Sequence, residues 1–129
     1  MKSKVLVIDI ETSPILGSVW GLWQQNLSLE MIKDDWYILS FAAKWLGEKE
    51  IIYRDCRETL ENDKLLMTEI HALLSQADYV IAHNGDKFDI KKINARLIMN
   101  GFPPPSPYKT IDTLKIAKKQ FAFTSNKLQ

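Results

Sequence analysis

The stretch Lys4-Val5-Leu6-Val7-Ile8-Asp9-Ile10-Glu11-Thr12 decides how the rest of the chain is organised. Val5 to Ile8 is a short, continuous, β-branched-rich apolar run, which reads as a strand buried on both faces of a sheet. Asp9 and Glu11 follow it two residues apart. Side chains two apart on a strand share a face, so both carboxylates project together from one surface. Two adjacent anions at the end of a buried strand repel each other and lose hydration. A divalent cation reverses that penalty, and all-oxygen donors suit Mg²⁺ or Mn²⁺.

Working outward, Thr12 to Trp23 collects turn formers and large aromatics without clean periodicity, and reads as a loop. Trp20 and Trp23 are expected to plug the edge of the core, the alternative being that they stack on an exposed base. Trp36 to Trp45 and Glu50 to Asp55 read as two strands joined by a turn at Gly47-Glu48-Lys49. From Asn62 to Gln76 the apolar positions Leu65, Leu66, Ile70, Leu73 and Leu74 recur at helical spacing, with Asn62 or Asp63 as the cap. His71 falls in this helix without a partner at ligand spacing, and is expected at its surface or boundary.

Tyr79 to Ala82 reads as another buried strand, ending in His83-Asn84-Gly85. A second helix runs from Asp89 to Asn100 through Ile90, Ile93, Leu97 and Ile98, and is stopped by Gly101. Phe102 to Pro107 is a stiff extended connection. A brief strand over Thr110 to Thr113 and the start of a helix over Leu114 to Phe121 complete the chain. Helices alternating with short strands imply an α/β fold with crossovers onto a mixed sheet, whose sites form beyond the carboxyl ends of strands. Asp9, Glu11 and the His83–Asp89 loop all fall at such ends.

The composition, 46% hydrophobic and 26% charged over 129 residues, is that of one soluble globular domain. No apolar run is long enough to span a membrane and no signal-peptide pattern opens the chain, so no membrane partner is expected. The single cysteine, Cys56, fits a reducing, cytoplasmic setting. The net charge of +1 conceals an asymmetry. Met1 to His83 carries 8 Lys/Arg against 13 Asp/Glu, whereas Asn84 to Gln129 carries 9 against 3. An acidic half beside a basic half suits an enzyme that gathers metal next to a polyanion.

The second informative stretch is His83-Asn84-Gly85-Asp86-Lys87-Phe88-Asp89. Gly85 permits a tight turn off the strand, and Asp89 sits in the first turn of the next helix, where the dipole favours its charge. Together with Asp9-Ile10-Glu11, this resembles the DnaQ-like (DEDD) 3′–5′ exonucleases, which share a ribonuclease H-like fold. Asp9-Ile10-Glu11 matches their first motif, and Asn84 to Asp89 matches their Asn-x-x-x-Phe-Asp second motif. The HNGDKFD version is most similar to phage and bacterial members related to family B polymerase exonuclease domains.

The resemblance implies a ribonuclease H-like mixed sheet flanked by helices, and two Mg²⁺ or Mn²⁺ ions hydrolysing a phosphodiester at a single-stranded DNA or RNA 3′ end. Asp9 would bridge both ions, Glu11 would bind the ion carrying the nucleophile, and Asp89 would hold the second, through water. Thr12, Asn84 and Phe88 would lie at the terminal nucleotide. Lys91 and Lys92, with Lys87, Lys115, Lys118 and Lys119, would meet phosphates. The third motif, Tyr or His followed four residues later by Asp on a late helix, is not matched in this way. Tyr108-Lys109-Thr110-Ile111-Asp112 has the spacing, but in an extended segment its ends lie about 13 Å apart.

The last residues, Phe123 to Gln129, resemble the family's lead-in to its helical C-terminal part. Residues 1–129 are thus expected to be a truncated exonuclease domain of a bacterial or phage-infected cell, weakly active alone. An uncovered sheet flank would then favour self-association, and a DNA polymerase or replication protein is a possible partner. The alternative is a catalytically inactive module of the same fold that binds nucleic acid or a partner.

Overall fold

The computed structural model describes residues 2–23, 25–59 and 62–128. Gln129, the last residue of the expected lead-in, lies outside the described residues. In chain order the strands are β1 (Val5–Thr12), β2 (Leu16–Gly17), β3 (Ile32–Asp34), β4 (Ile38–Trp45), β5 (Ile52–Asp55), β6 (Tyr79–Ala82) and β7 (Lys109–Asp112). The helices are α1 (Lys64–Gln76) between β5 and β6, α2 (Asp89–Met99) between β6 and β7, and α3 (Thr113–Gln120) after β7. Five strands form one mixed sheet in the order β5-β4-β1-β6-β7. β1 pairs antiparallel with β4 and parallel with β6, and β7 adds in parallel to β6. This is the mixed α/β sheet flanked by helices that the resemblance leads one to expect.

β1 alternates rather than being buried on both faces. Leu6, Ile8 and Ile10 are buried in one cluster with Phe41, Leu66, Met67, Ile70, Leu74, Ile93 and Leu97. Val7 on the opposite face is 38% exposed and shares that face with Asp9 and Glu11. The reason is that α1 and α2 supply the core on one side, while α3 has no buried residue. Side chains such as Met67 and Ile93, fully removed from water, contribute roughly 1.5–3 kcal/mol each.

Helix α1 presents a slightly different stripe from the expected one. Met67 is fully buried and Leu65 is 68% exposed, because the core face runs Leu66, Met67, Ile70, Leu74. On α2 the inward positions are Ile93 and Leu97, with Ile98 turned outward. His71 is a boundary residue, stacked on Phe102 and bonded through Nε2 to the Pro103 carbonyl.

Asp63 does not cap α1 with its side chain. Its carboxylate is fully buried and accepts from Arg96 (2.8 and 2.9 Å), the Ile38 amide (3.0 Å) and Asn100 (3.0 Å). Burial raises its pKa, but the bonds from Arg96, Ile38 and Asn100 together hold the carboxyl below its usual range. Asn62 takes the capping role through a 3.0 Å bond from the Lys64 amide. The buried pair therefore ties both helices to β4.

Between β1 and β4 the expected loop contains structure. β2 and β3 form a two-stranded antiparallel sheet, with a 3-10 turn at Leu29–Met31 leading into β3. This arm is closed at its root by Ser13, whose amide donates to the Tyr37 carbonyl and whose Oγ accepts from the Tyr37 amide, both at 2.9 Å. Trp20 and Trp23 do not plug the core: they are 94% and 82% exposed. Among the described residues no helix is long and apolar enough to cross a membrane.

Candidate metal and nucleic-acid site

The site forms where β1 outruns its parallel neighbour. The β1–β6 register covers Val5–Val7 against Tyr79–Ile81, and β6 ends at Ala82. From Ile8 onward β1 has no strand on that side. The chain leaving β6 turns back here. Asn84 takes a left-handed φ of 60°, Phe88 donates its amide to the Asn84 carbonyl, and Ile90 donates to Gly85. Gly85 itself is needed for closeness rather than for an unusual dihedral: a Cβ there would lie 2.5 Å from the Ala82 Cβ. The turn delivers Asp89, first residue of α2, to the bare edge of β1. Its Oδ2 accepts from the Ile10 amide at 3.1 Å, completing the hydrogen bonding that β6 leaves open.

Asp9 and Glu11 flank Ile10 on the exposed face. A register shift between Glu11 and Thr12 pairs Glu11 with Ser40 but Thr12 with Ile38. Such bulges re-aim side chains at strand ends, and this one lies beside the carboxylates. Asp89 is 2% exposed and its pKa is pushed up to about 6. Burial is the main cause, the Ile10 bond opposes it, and the charges of Asp9 and Glu11 raise it further. All three carboxyls therefore lie within electrostatic reach of one another.

Among the described residues, no three His, Cys, Asp or Glu side chains are arranged as a ready metal cage. The donors present fit a partly hydrated ion instead. Mg²⁺ commonly keeps several waters and takes one or two carboxylates plus substrate phosphates, and Asp9 and Glu11 are two exposed carboxylates on one face.

The other candidates are distributed around this centre. Thr12 is half-buried at the bulge, Asn84 is half-buried at the turn, and Phe88 is 38% exposed just before Asp89. Lys91 is exposed on α2. Lys92 lies with its Nζ 3.9 Å from the Trp36 ring centroid and 5.8 Å from that of Phe88. Lys115 is committed to Asp86 at 2.6 Å, whereas Lys87, Lys118 and Lys119 are exposed.

Asp112 is buried and is occupied by backbone. Its Oδ1 accepts from the amides of Asn84 (2.8 Å) and Leu114 (3.0 Å), and its Oδ2 from that of Asp86 (3.3 Å). It caps α3 and pins the second-motif turn. Tyr108 packs against the core, and burial raises its phenol. At the site, the sequence gives no sign of the Asp89–Ile10 bond or of the anchoring of His83 between the Thr113 hydroxyl and the Asn126 carbonyl. A short polar residue just before a helix, as at Asp112-Thr113, was the available signal for its capping role.

Comparison with known proteins adds the family. The model of the RNase_H superfamily matches residues 28–129, leaving β1 with Asp9 and Glu11 outside the matched part. A comparison with curated proteins gives no match. Among solved structures, the chain is similar to the family B DNA polymerase from the hyperthermophilic archaeon Pyrobaculum calidifontis, with a TM-score of 0.56 and 16% identity. The similarity covers 93% of this chain and 16% of the polymerase chain, so the chain spans about a sixth of that protein's length. At this identity the likeness concerns the fold. With a family model matched over far more than half its length and a five-stranded mixed sheet that agrees with it, the chain belongs to the RNase_H superfamily.

Proposed function

We propose that this chain is a metal-dependent 3′–5′ exonuclease of the DnaQ-like type, acting on the 3′ end of single-stranded nucleic acid. The observation that carries the reading is that Asp9 and Glu11 share the exposed face of β1 where it outruns β6, with Asp89 bonded to the amide of Ile10 between them. Membership in the RNase_H superfamily supports nuclease-type chemistry, and the fold likeness to a family B DNA polymerase supports association with a polymerase or replication protein. Mg²⁺ or Mn²⁺ ions held mainly by Asp9 and Glu11 would supply water activation and charge neutralisation at the leaving oxygen.

The remaining work belongs to the chain. Asp89 keeps the edge of β1 in place through Ile10, and so fixes the carboxylates on either side of that residue. Its pKa is raised chiefly by burial and further by the charges of Asp9 and Glu11, a repulsion that a bound cation would relieve. Asn84 and Phe88 border the place where a terminal nucleotide would sit, and Lys91 and Lys92 offer charge to its phosphates. A cytoplasmic setting in a bacterial or phage-infected cell accompanies this reading.

The alternative, a non-catalytic binding module, draws on Asp112 and Tyr108: both are held in structural roles, so neither completes a third motif. Titration with Mn²⁺ separates the two. Binding that Asp9→Ala removes, together with release of mononucleotides from a 3′-labelled single strand, supports the enzyme. Equal Mn²⁺ affinity in the wild type and Asp9→Ala refutes it.

A further inference from the structure

The arm between β1 and β4 has no part in the site so far described, yet it is built with care. The Ser18 amide donates to the Met31 carbonyl at 2.9 Å, and Gln25 Nε2 donates to the Trp23 carbonyl at 2.8 Å. Leu27 lies across Gly17 so tightly that a Cβ there would come 2.6 Å from its Cδ2. What this scaffold presents to water is Trp20, Leu22 and Trp23, which are 94%, 91% and 82% exposed. Isolated apolar side chains on a surface are ordinary, but two indoles and a leucine together on one ordered arm mark a contact site.

We infer that the tip of this arm is a stacking platform for the bases of a single-stranded nucleic acid whose 3′ end lies at Asp9 and Glu11. The inference rests on the function proposed above. Three observations favour this occupant. The arm is rooted at Ser13, two residues past Glu11, so a strand seated at the carboxylates passes its base. On the returning limb Trp36 holds the ammonium of Lys92, one helical turn from Asp89 on α2, 3.9 Å from its ring. Finally, residues 12–29 contain no charged side chain, and this is the longest acid-free stretch of an otherwise acidic half. A polyanion meets no repulsion there, and flat indole faces accept any base.

Chain length limits the geometry. Nine residues separate Glu11 from Trp20, at most about 30 Å of extended backbone. The platform therefore lies within the span of a short oligomer seated at the carboxylates. Because the tip is uncharged, its contribution to binding is insensitive to salt, unlike that of Lys91.

The test uses the full chain with EDTA present and 5′-fluorescein oligothymidylate of about 12 nucleotides, within the usual site sizes of single-strand binders. Anisotropy titrations at several salt concentrations compare the wild type, Trp20→Ala/Trp23→Ala and Trp20→Phe/Trp23→Phe. The alanine variant is expected to bind at least tenfold more weakly with an unchanged salt slope, and the phenylalanine variant to recover part of the loss. Circular dichroism melts matching the wild type, as expected for exposed positions, exclude misfolding. Unchanged affinity in the alanine variant overturns the platform while leaving the nuclease reading intact. A wild type that neither binds the oligomer in EDTA nor trims it when Mn²⁺ replaces the EDTA overturns both. Unchanged oligomer affinity, with binding to phosphatidylcholine vesicles that only the wild type shows, assigns the arm to a bilayer surface and overturns the inference.

Discussion

Replacing Asp89 by Asn should remove a pH-dependent loss of stability from the metal-free protein while disabling its site. The native carboxyl titrates at about 6 against 3.8 in the unfolded chain. The folded state therefore holds its proton more tightly. That stabilisation is fully present below the unfolded value and is lost as pH rises through 6. At about 1.36 kcal/mol per pKa unit, the native state gives up roughly 2–3 kcal/mol between pH 4 and pH 7.5 through this group alone.

Asparagine keeps an acceptor for the Ile10 amide and never ionises, so it escapes this loss. Its new amide N–H groups, if unpartnered, cost about 1–3 kcal/mol at every pH, which offsets part of the gain. That cost cancels when the two pH values are compared. Urea unfolding in EDTA at pH 4, 5, 6 and 7.5 should show Asp89→Asn gaining on the wild type by roughly 2–3 kcal/mol across the series. Adding Mn²⁺ at pH 7.5 should restore the wild type more than the variant. Parallel pH profiles for the two proteins would show that the Asp89 carboxyl is not raised by its burial.

Asp63→Ala leaves the half-buried Arg96 guanidinium, the Ile38 amide and Asn100 without their acceptor and should cost about 3 kcal/mol, read as a fall in the urea midpoint. Gly85→Ala forces a Cβ to within 2.5 Å of the Ala82 Cβ and should lower stability by about 1–3 kcal/mol, seen in a thermal melt. Lys91→Ala should flatten the salt dependence of oligonucleotide binding by about one phosphate contact. Lys92→Ala should do the same and in addition loosen Trp36, so its loss should persist at high salt in the same anisotropy titration.

What the sequence makes legible is whatever a short window encodes. β1 and α2 follow from local apolar patterns. Asn84 to Asp89 announces a turn into a helix by its glycine and its acidic first turn. The boundaries moved where tertiary packing chose between adjacent candidates, as with Met67 over Leu65, since both lie near the same stripe. Pairings distant in sequence were invisible: Asp63 meets Arg96 across 33 residues, and Asp89 reaches Ile10 across 79. The arm escaped because β2 is only two residues long and its segment carries no alternation. The exposure of Trp20 and Trp23 ran against the usual burial of aromatic side chains, which is why it points to a use.

One buried carboxylate has a dynamic consequence. Asp112 is the shared acceptor for the amides of Asn84, Asp86 and Leu114, and Lys115 is clamped to Asp86 from the first turns of α3. Any opening that frees one of these amides must dislodge the same side chain, so the turn behind Phe88 and the start of α3 form one cooperative unit. In native-state hydrogen exchange the three amides should share a single opening free energy, and Asp112→Asn should lower it for all three at once. Because the same turn delivers Asp89 to the Ile10 amide, such an opening would also loosen the edge of β1 that carries Asp9 and Glu11.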